Sequence, residues 1–136
     1  MIVDTSALIA ILYEEPGSDA MRRALLTEVA FIPAPVVLEF LRVASLESHR
    51  LGDLARQLLA SLQSFGAEIV PFDAHHALIA QRANHDHGKG MGKGGKLNLL
   101  DLMVYAVAQQ RGEPLLCTGN DFAATDLVLH KASRAG

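Results

Sequence analysis

Short apolar runs alternate with helical segments along the chain, and this alternation restricts its fold more than any other feature. Five runs are suited to strands: residues 1–3, 29–32, 68–72, 115–118 and 128–130. The segments between most of these runs space their apolar residues as helices do. Strands joined by crossover helices lie parallel, with helices on both faces of the sheet. The sequence therefore predicts an α/β fold built on a parallel sheet.

Capping residues and helix breakers place six helices between the strands. Their predicted starts are Thr5, Ser18, Pro35, Asp53, Asp73 and Asn98. Asp53 and Asp73 suit the N-cap position, while Gly66 and Gly112 suit the position after a helix end. The apolar spacing of the fourth helix predicts that Leu54, Leu58, Leu62 and Phe65 point inward.

Length and composition predict one globular domain, residues 1–136. Half of the residues are hydrophobic and a fifth are charged, unlike a disordered chain. The single cysteine, Cys117, lies in an apolar run and is expected to be a small buried hydrophobe. No signal peptide or membrane-length apolar stretch is evident, so we expect a cytoplasmic protein with no membrane partner.

The net charge of −3 does not exclude a nucleic-acid partner if four acids are committed to a metal. Eleven of the fifteen acids would then remain against twelve bases. The bases cluster locally, and a phosphate backbone responds to such local charge. The candidate RNA-binding lysines in the glycine-rich stretch 88–96 are Lys89, Lys93 and Lys96.

Two acids follow strands whose ends should share one edge of the sheet. Asp4 follows the first apolar run, and Asp121 lies shortly after the fourth. Ligands of open α/β sheets bind outside the carboxyl ends of the strands. Each acid alone could equally be a helix N-cap or a turn residue.

Two further acids, Glu39 and Asp101, lie inside apolar helical segments. A buried carboxylate is costly unless it is paired, hydrogen-bonded or bound to a metal. Glu39 has one structural alternative, an ion pair with Arg42. Asp101 has another, a capping box with Asn98 three residues earlier.

Four carboxylates that converge without cations would repel one another and raise their own pKa values. Oxygen ligands of this kind suit Mg²⁺ or Mn²⁺. The histidine pairs, His75 with His76 and His85 with His87, lack the further ligands of a zinc site. The first pair is expected to be exposed.

The ordered set of these motifs resembles the PIN-domain family, and more narrowly its VapC-type ribonuclease toxins. The resemblance rests on residues 1–8, on Glu39 in an apolar helix, and on residues 97–101 and 118–122. Asp126 also matches a position where that subfamily often has an acid. The glycine- and lysine-rich stretch departs from the family pattern.

The resemblance implies a three-layer α/β/α fold with a five-stranded parallel sheet in the order 3-2-1-4-5. It implies a Mg²⁺-dependent endoribonuclease, usually a homodimer, that a cognate antitoxin blocks at the acidic site. The expected catalytic and metal-binding acids are Asp4, Glu39, Asp101 and Asp121, with Asp4 and Asp101 as the primary ligands. The expected supporting residues are Ser6, Thr118, Asn120 and Asp126.

Two other functions are compatible with the sequence. A haloacid-dehalogenase-like phosphatase also has an acid after its first strand, but it normally has a second Asp where this chain has Ser6. A non-catalytic PIN-like binding module could use the same acids to bind a basic peptide.

Overall fold

The computed structural model describes residues 1–135, and its centre is a four-stranded sheet whose strands are all parallel. The strands are β1 (Ile2–Val3), β2 (Phe31–Pro33), β3 (Glu68–Val70) and β4 (Leu115–Leu116). They lie in the order β3-β2-β1-β4, which leaves β1 between two neighbours. This confirms the predicted parallel sheet and the first four positions of its order.

Six helices complete a three-layer α/β/α arrangement. They are α1 (Thr5–Leu12), α2 (Ser18–Thr27), α3 (Ala34–Ala44), α4 (Gly52–Ser64), α5 (Ala74–His87) and α6 (Leu99–Arg111). Helices α5 and α6 pack together and run antiparallel, since His76 near the start of α5 contacts Gln110 near the end of α6. His87, the last residue of α5, packs against Tyr105 in the middle of α6.

The predicted fifth strand, residues 128–130, is reduced to isolated pairing beside β4. Leu115 donates to the Val128 carbonyl at 2.9 Å and accepts from the His130 N–H at 2.7 Å. The chain then turns, and Ser133 Oγ accepts from the Cys117 N–H at 3.1 Å where a continuous strand would use its backbone. A second bridge follows between Thr118 and Arg134. The complete five-stranded sheet in the order 3-2-1-4-5 is therefore not confirmed.

Helix α4 differs from its predicted register. It begins at Gly52 rather than after an Asp53 cap, and the Asp53 carboxylate instead pairs with Arg56 at 2.8 Å on the exposed surface. The buried face consists of Ala55, Leu59 and Leu62. Two of the residues predicted to point inward, Leu54 and Phe65, are 52% and 63% exposed.

The core surrounds β1 and β4, and their residues are fully buried. Cys117 lies in the same core, as the sequence predicted. His76 is also buried, which corrects the expectation that the first histidine pair is exposed. Its Nδ1 accepts the Asp73 N–H at 3.0 Å and its Nε2 lies 3.3 Å from the Gln110 side chain, so a complete set of partners permits its burial. No helix within residues 1–135 has both the length and the apolar character needed to cross a membrane.

Candidate active site

Asp4 lies directly after β1, at the carboxyl end of the central strand, and caps α1. Its carboxylate accepts hydrogen bonds from the Ser6 hydroxyl and from the Ser6 backbone N–H, the latter at 3.1 Å. The side chain is buried, at 6% exposure. Burial raises the pKa of Asp4, the Ser6 hydrogen bonds lower it, and the negative charge of Glu39 raises it further. The capping role is thus present, but it accompanies a buried carboxylate close to another acid.

Ser6 joins the carboxyl ends of the neighbouring strands β1 and β4. Its Oγ bonds to the Asp4 carboxylate and accepts a hydrogen bond from the Thr118 N–H at 2.9 Å. Thr118 lies just beyond β4, and Gly119 follows it in the left-handed region with φ +85°. This turn leads to the predicted residues Asn120 and Asp121, both exposed. The structure therefore brings the expected supporting positions Ser6 and Thr118 into contact.

Asp101 lies in the first turn of α6 and forms a capping box with Asn98. The Asp101 Oδ2 accepts the Asn98 N–H at 3.0 Å, and the Asn98 side chain accepts the Asp101 N–H at 2.9 Å. Burial is the main reason that the pKa of Asp101 rises to about 6, and the charges of Asp4, Asp121 and Glu39 add to the rise. The capping box lowers this pKa but does not offset these effects. All four predicted acids therefore share one electrostatic environment.

In the part of the chain that the structure describes, this acidic group has no compensating ion pair. Glu39 is half-buried on α3, and the ion pair with Arg42 that the sequence allowed is not formed. Within residues 1–135, none of the four carboxylates pairs with Lys, Arg or His. Cys117 responds to the same charges, because its burial and then Asp4, Asp121 and Asp101 raise its thiol pKa to about 11. The end of the sheet thus concentrates negative charge.

The donor chemistry of this group fits a hard divalent cation, since every candidate ligand is a carboxylate oxygen. The side chains nevertheless stand apart. In the described part of the chain, no three His, Cys, Asp or Glu side chains are grouped closely enough to hold an ion. Mutual repulsion between carboxylates favours such separation, and a cation would remove that repulsion.

The remaining candidate residues lie outside the acidic group. Asp126 is exposed, accepts a hydrogen bond from the Tyr105 hydroxyl and lies 3.9 Å from His87 Nε2. The lysines lie in the loop between α5 and α6. All three are exposed, and Lys93 also contacts Asp86 at 3.1 Å.

Two backbone hydrogen bonds span the glycine-rich loop between α5 and α6. The Lys89 N–H donates to the Leu97 carbonyl at 2.9 Å, and the Leu97 N–H donates to the His87 carbonyl at 3.0 Å. These bonds close the base of the loop. Gly95 has no room for a side chain there, because a Cβ would lie 2.3 Å from the His87 backbone.

The comparison that decides the family is a match between residues 1–127 and the model of the PIN domain. The chain belongs to the PIN-domain family. Two ribonucleases of Mycobacterium bovis place this PIN domain among the VapC ribonucleases. VapC ribonuclease Mb2780c is 37% identical over 128 residues, which cover 93% of this chain and 96% of the relative. VapC ribonuclease Mb2004c is 41% identical over 130 residues, with coverages of 93% and 91%.

Solved structures support the same fold for this PIN domain. VapC20 of Mycobacterium tuberculosis, described as a sarcin-ricin loop cleaving toxin, matches with a TM-score of 0.73 at 17% identity, covering 93% of this chain and 95% of its own. VapBC2 of Rickettsia felis, bound to a DNA fragment from its promoter, also matches with a TM-score of 0.73 at 17% identity, with coverages of 95% and 96%.

The raised pKa of Asp101 predicts how the stability of the metal-free PIN domain depends on pH. The folded state binds this proton more tightly than the unfolded state, whose pKa is near 3.8. The free energy of unfolding should therefore fall by on the order of 1 kcal/mol as pH rises from about 4 to about 6, allowing for screening of a half-buried group. At pH values above that range, the contribution of Asp101 to the free energy of unfolding is fully lost.

Thermal unfolding in EDTA at pH 5 and pH 7 tests this dependence when wild type is compared with Asp101→Asn. The comparison isolates the Asp101 carboxyl, because every other titratable group is the same in the two proteins. We expect the wild type to lose more stability than the variant between these pH values. Parallel pH dependence in the two proteins would contradict the prediction.

Proposed function

We propose that residues 1–136 form a single nuclease domain, a metal-dependent endoribonuclease that hydrolyses RNA phosphodiester bonds as the toxin of a toxin–antitoxin pair. The observation that carries this proposal is the group of four uncompensated carboxylates at the carboxyl end of the sheet, Asp4, Glu39, Asp101 and Asp121. Support for the reaction comes from two VapC ribonucleases that are 37% and 41% identical to this chain over 93% of its length.

Asp4 and Asp101 are the proposed primary ligands of Mg²⁺ or Mn²⁺, with Glu39 and Asp121 completing the site or orienting water. Such an ion, when bound, polarises the scissile phosphate and lowers the pKa of a water molecule. The protein contributes two oriented carboxylates. Ser6 holds Asp4, and the Asn98 backbone holds one oxygen of Asp101.

The exposure of the four acids suggests how a phosphate could reach the site. Asp4 is buried, Glu39 and Asp101 are half-buried, and Asp121 is exposed. An RNA backbone approaching from solvent would therefore meet Asp121 before Asp4. The proposed role of Lys89, Lys93 and Lys96, in the loop between α5 and α6, is to neutralise phosphates without reading sequence.

The proposed partners are a cognate antitoxin and a second copy of the chain, and the proposed location is the cytoplasm, where RNA is available. Support for an antitoxin comes from neighbouring folds solved as toxin–antitoxin complexes, including one from Klebsiella pneumoniae (TM-score 0.71, 18% identity). Exposed apolar side chains on α5 and α6 support the presence of a surface that one of these partners covers. Leu78 is 54% exposed and Leu99 is 77% exposed. Light scattering of the purified chain, alone and with the antitoxin, measures both assemblies.

The most informative experiment incubates the purified protein with total RNA, with and without Mg²⁺, and maps the cut ends. We expect internal cleavage with Mg²⁺ and none with EDTA. A covalent aspartyl-phosphate on Asp4 would indicate the phosphatase instead. Absence of cleavage with either Mg²⁺ or Mn²⁺, together with tight peptide binding, would indicate a non-catalytic module.

A further inference from the structure

The segment 128–134, called here the C-terminal strap, lies along the free edge of β4 and continues past the end of that strand. Its final pairing is with the turn that precedes Asp121. The Arg134 N–H donates to the Cys117 carbonyl at 3.1 Å, and the Gly119 N–H donates to the Arg134 carbonyl at 2.9 Å. Arg134 therefore holds the backbone on both sides of Thr118.

The same short stretch is held from the opposite side by Ser6. Its Oγ accepts the Thr118 N–H at 2.9 Å while it also contacts the Asp4 carboxylate. The backbone from Thr118 to Gly119 is thus fixed between Ser6 and Arg134. Asp121 follows two residues later, and its own carboxylate has no basic partner within residues 1–135. The Ser6 and Arg134 contacts thus fix the backbone that leads into Asp121, and the buried Phe122 follows it.

The Arg134 side chain fastens the strap to a distant part of the chain. Its guanidinium donates to the Glu15 carboxylate at 2.8 Å, and both groups are about one-third exposed. The side chain passes directly over Gly17, where a Cβ would lie 3.2 Å from the Arg134 Cδ. Gly17 also has φ +89°, so two independent features favour glycine at this position.

A second contact holds the beginning of the strap. His130 is buried, and its Nε2 lies 2.9 Å from a Glu28 carboxylate oxygen. Its Nδ1 accepts the Ala132 N–H at 3.1 Å, so Nε2 carries the proton that is donated to Glu28. The turn between the two strap pairings is therefore fixed independently of Arg134, which makes Arg134 responsible for the end nearest the site.

We propose that Arg134 is a positioning residue for the metal-binding carboxylates, acting on Asp121 through the Thr118–Gly119 backbone. This inference rests on the proposed function for the role of Asp121. Groups that orient metal ligands typically change metal affinity or activity 10- to 100-fold when they are removed. Arg134 acts through the backbone rather than on the carboxylate itself, so we expect an effect of about 10-fold, at the lower end of that range.

The test measures Mn²⁺ binding to the full chain by calorimetry, together with amide hydrogen exchange at Gly119. Arg134→Ala should weaken Mn²⁺ binding about 10-fold and accelerate Gly119 exchange. Glu15→Gln breaks the same ion pair from the other side and should act in the same direction. Arg134→Lys, which can still reach Glu15, should restore much of the affinity.

Arg56→Ala is the matched control, because Arg56 also forms a 2.8 Å ion pair. Its partner is Asp53, and the pair lies on the exposed face of α4. We expect wild-type Mn²⁺ affinity and Gly119 exchange in this variant. If Arg134→Ala does not fold, Glu15→Gln carries the test, since it leaves the strap sequence unchanged.

Wild-type Mn²⁺ affinity and Gly119 exchange in both Arg134→Ala and Glu15→Gln would overturn the inference. If the wild type nevertheless cleaves RNA, the proposed function stands without a positioning role for Arg134. A wild type that binds Mn²⁺ but cleaves no RNA would instead remove the proposed function. The positioning role would then be supported by weaker Mn²⁺ binding and faster Gly119 exchange in the variants, and rejected if neither changed.

Discussion

Asp4→Asn is expected to reduce RNA cleavage by at least about 100-fold while leaving the protein folded. Loss of a group that only orients a metal ligand costs up to about 100-fold, and loss of a primary ligand should cost no less. Asparagine keeps an oxygen that can accept the Ser6 N–H, and it caps helices as well as aspartate does. The substitution therefore removes the charge and preserves the local structure.

The measurement is the initial rate of cleavage at saturating Mg²⁺, paired with a thermal unfolding curve in EDTA. We expect the melting temperature of Asp4→Asn to equal or exceed that of wild type, because burial already disfavours the charged form of Asp4. Asp19→Asn, which alters an exposed acid in the first turn of α2, should leave cleavage unchanged. Cleavage by Asp4→Asn at a rate similar to wild type would contradict a ligand role for Asp4.

Asp101→Asn should cause a comparable loss of cleavage, and a comparison with Asp101→Ala separates its two roles. The amide oxygen of asparagine can still accept the Asn98 N–H, so the capping box survives in the first variant. Alanine removes both the charge and the cap. We expect Asp101→Ala to be less stable than Asp101→Asn by about 1 kcal/mol, or a few degrees in melting temperature.

Cleavage rates and melting temperatures of the two Asp101 variants, measured side by side in the same buffers, test this separation. Both should be inactive, and only the alanine variant should be destabilised. If Asp101→Asn cleaved RNA at the wild-type rate while Asp101→Ala unfolded at a lower temperature, Asp101 would be only a capping residue.

The shared sheet edge of Asp4 and Asp121 could be predicted from the strand topology, while the metal site itself stays a prediction. Asp4 and the turn containing Asp121 each follow a strand, and parallel strands end at the same edge of a sheet. Glu39 and Asp101 are candidates because a carboxylate within an apolar helical stretch needs a partner. The capping box of Asp101 was equally predictable from its spacing to Asn98, and the structure contains it.

Long-range contacts of the C-terminal strap had no local signal. Glu15 and Arg134 are separated by 119 positions, and neither lies in a pattern that predicts pairing. The interruption of the fifth strand was unpredictable for a related reason. Its apolar residues suit a strand, but Ser133 replaces backbone pairing through its side chain, which periodicity does not reveal.

Two local sequence rules gave a wrong prediction. Asp53 is a good capping residue, yet α4 starts earlier and Asp53 pairs with Arg56 instead. His76 is polar and near a helix start, yet it is buried, because the Asp73 N–H and Gln110 provide partners for both ring nitrogens. Arg56 lies one helical turn after Asp53, whereas Gln110 is 34 positions from His76 and outside the local sequence pattern.

The most direct measurement of the proposed metal site is an anomalous difference map from a crystal soaked in Mn²⁺. We predict a peak at the carboxyl end of β1, bounded by Asp4 and Asp101 oxygens at roughly 2.0–2.3 Å and lost in Asp4→Asn. The account would be contradicted if saturating Mn²⁺ produced no anomalous peak among the four acids, or produced one only elsewhere. These acids are Asp4, Glu39, Asp101 and Asp121.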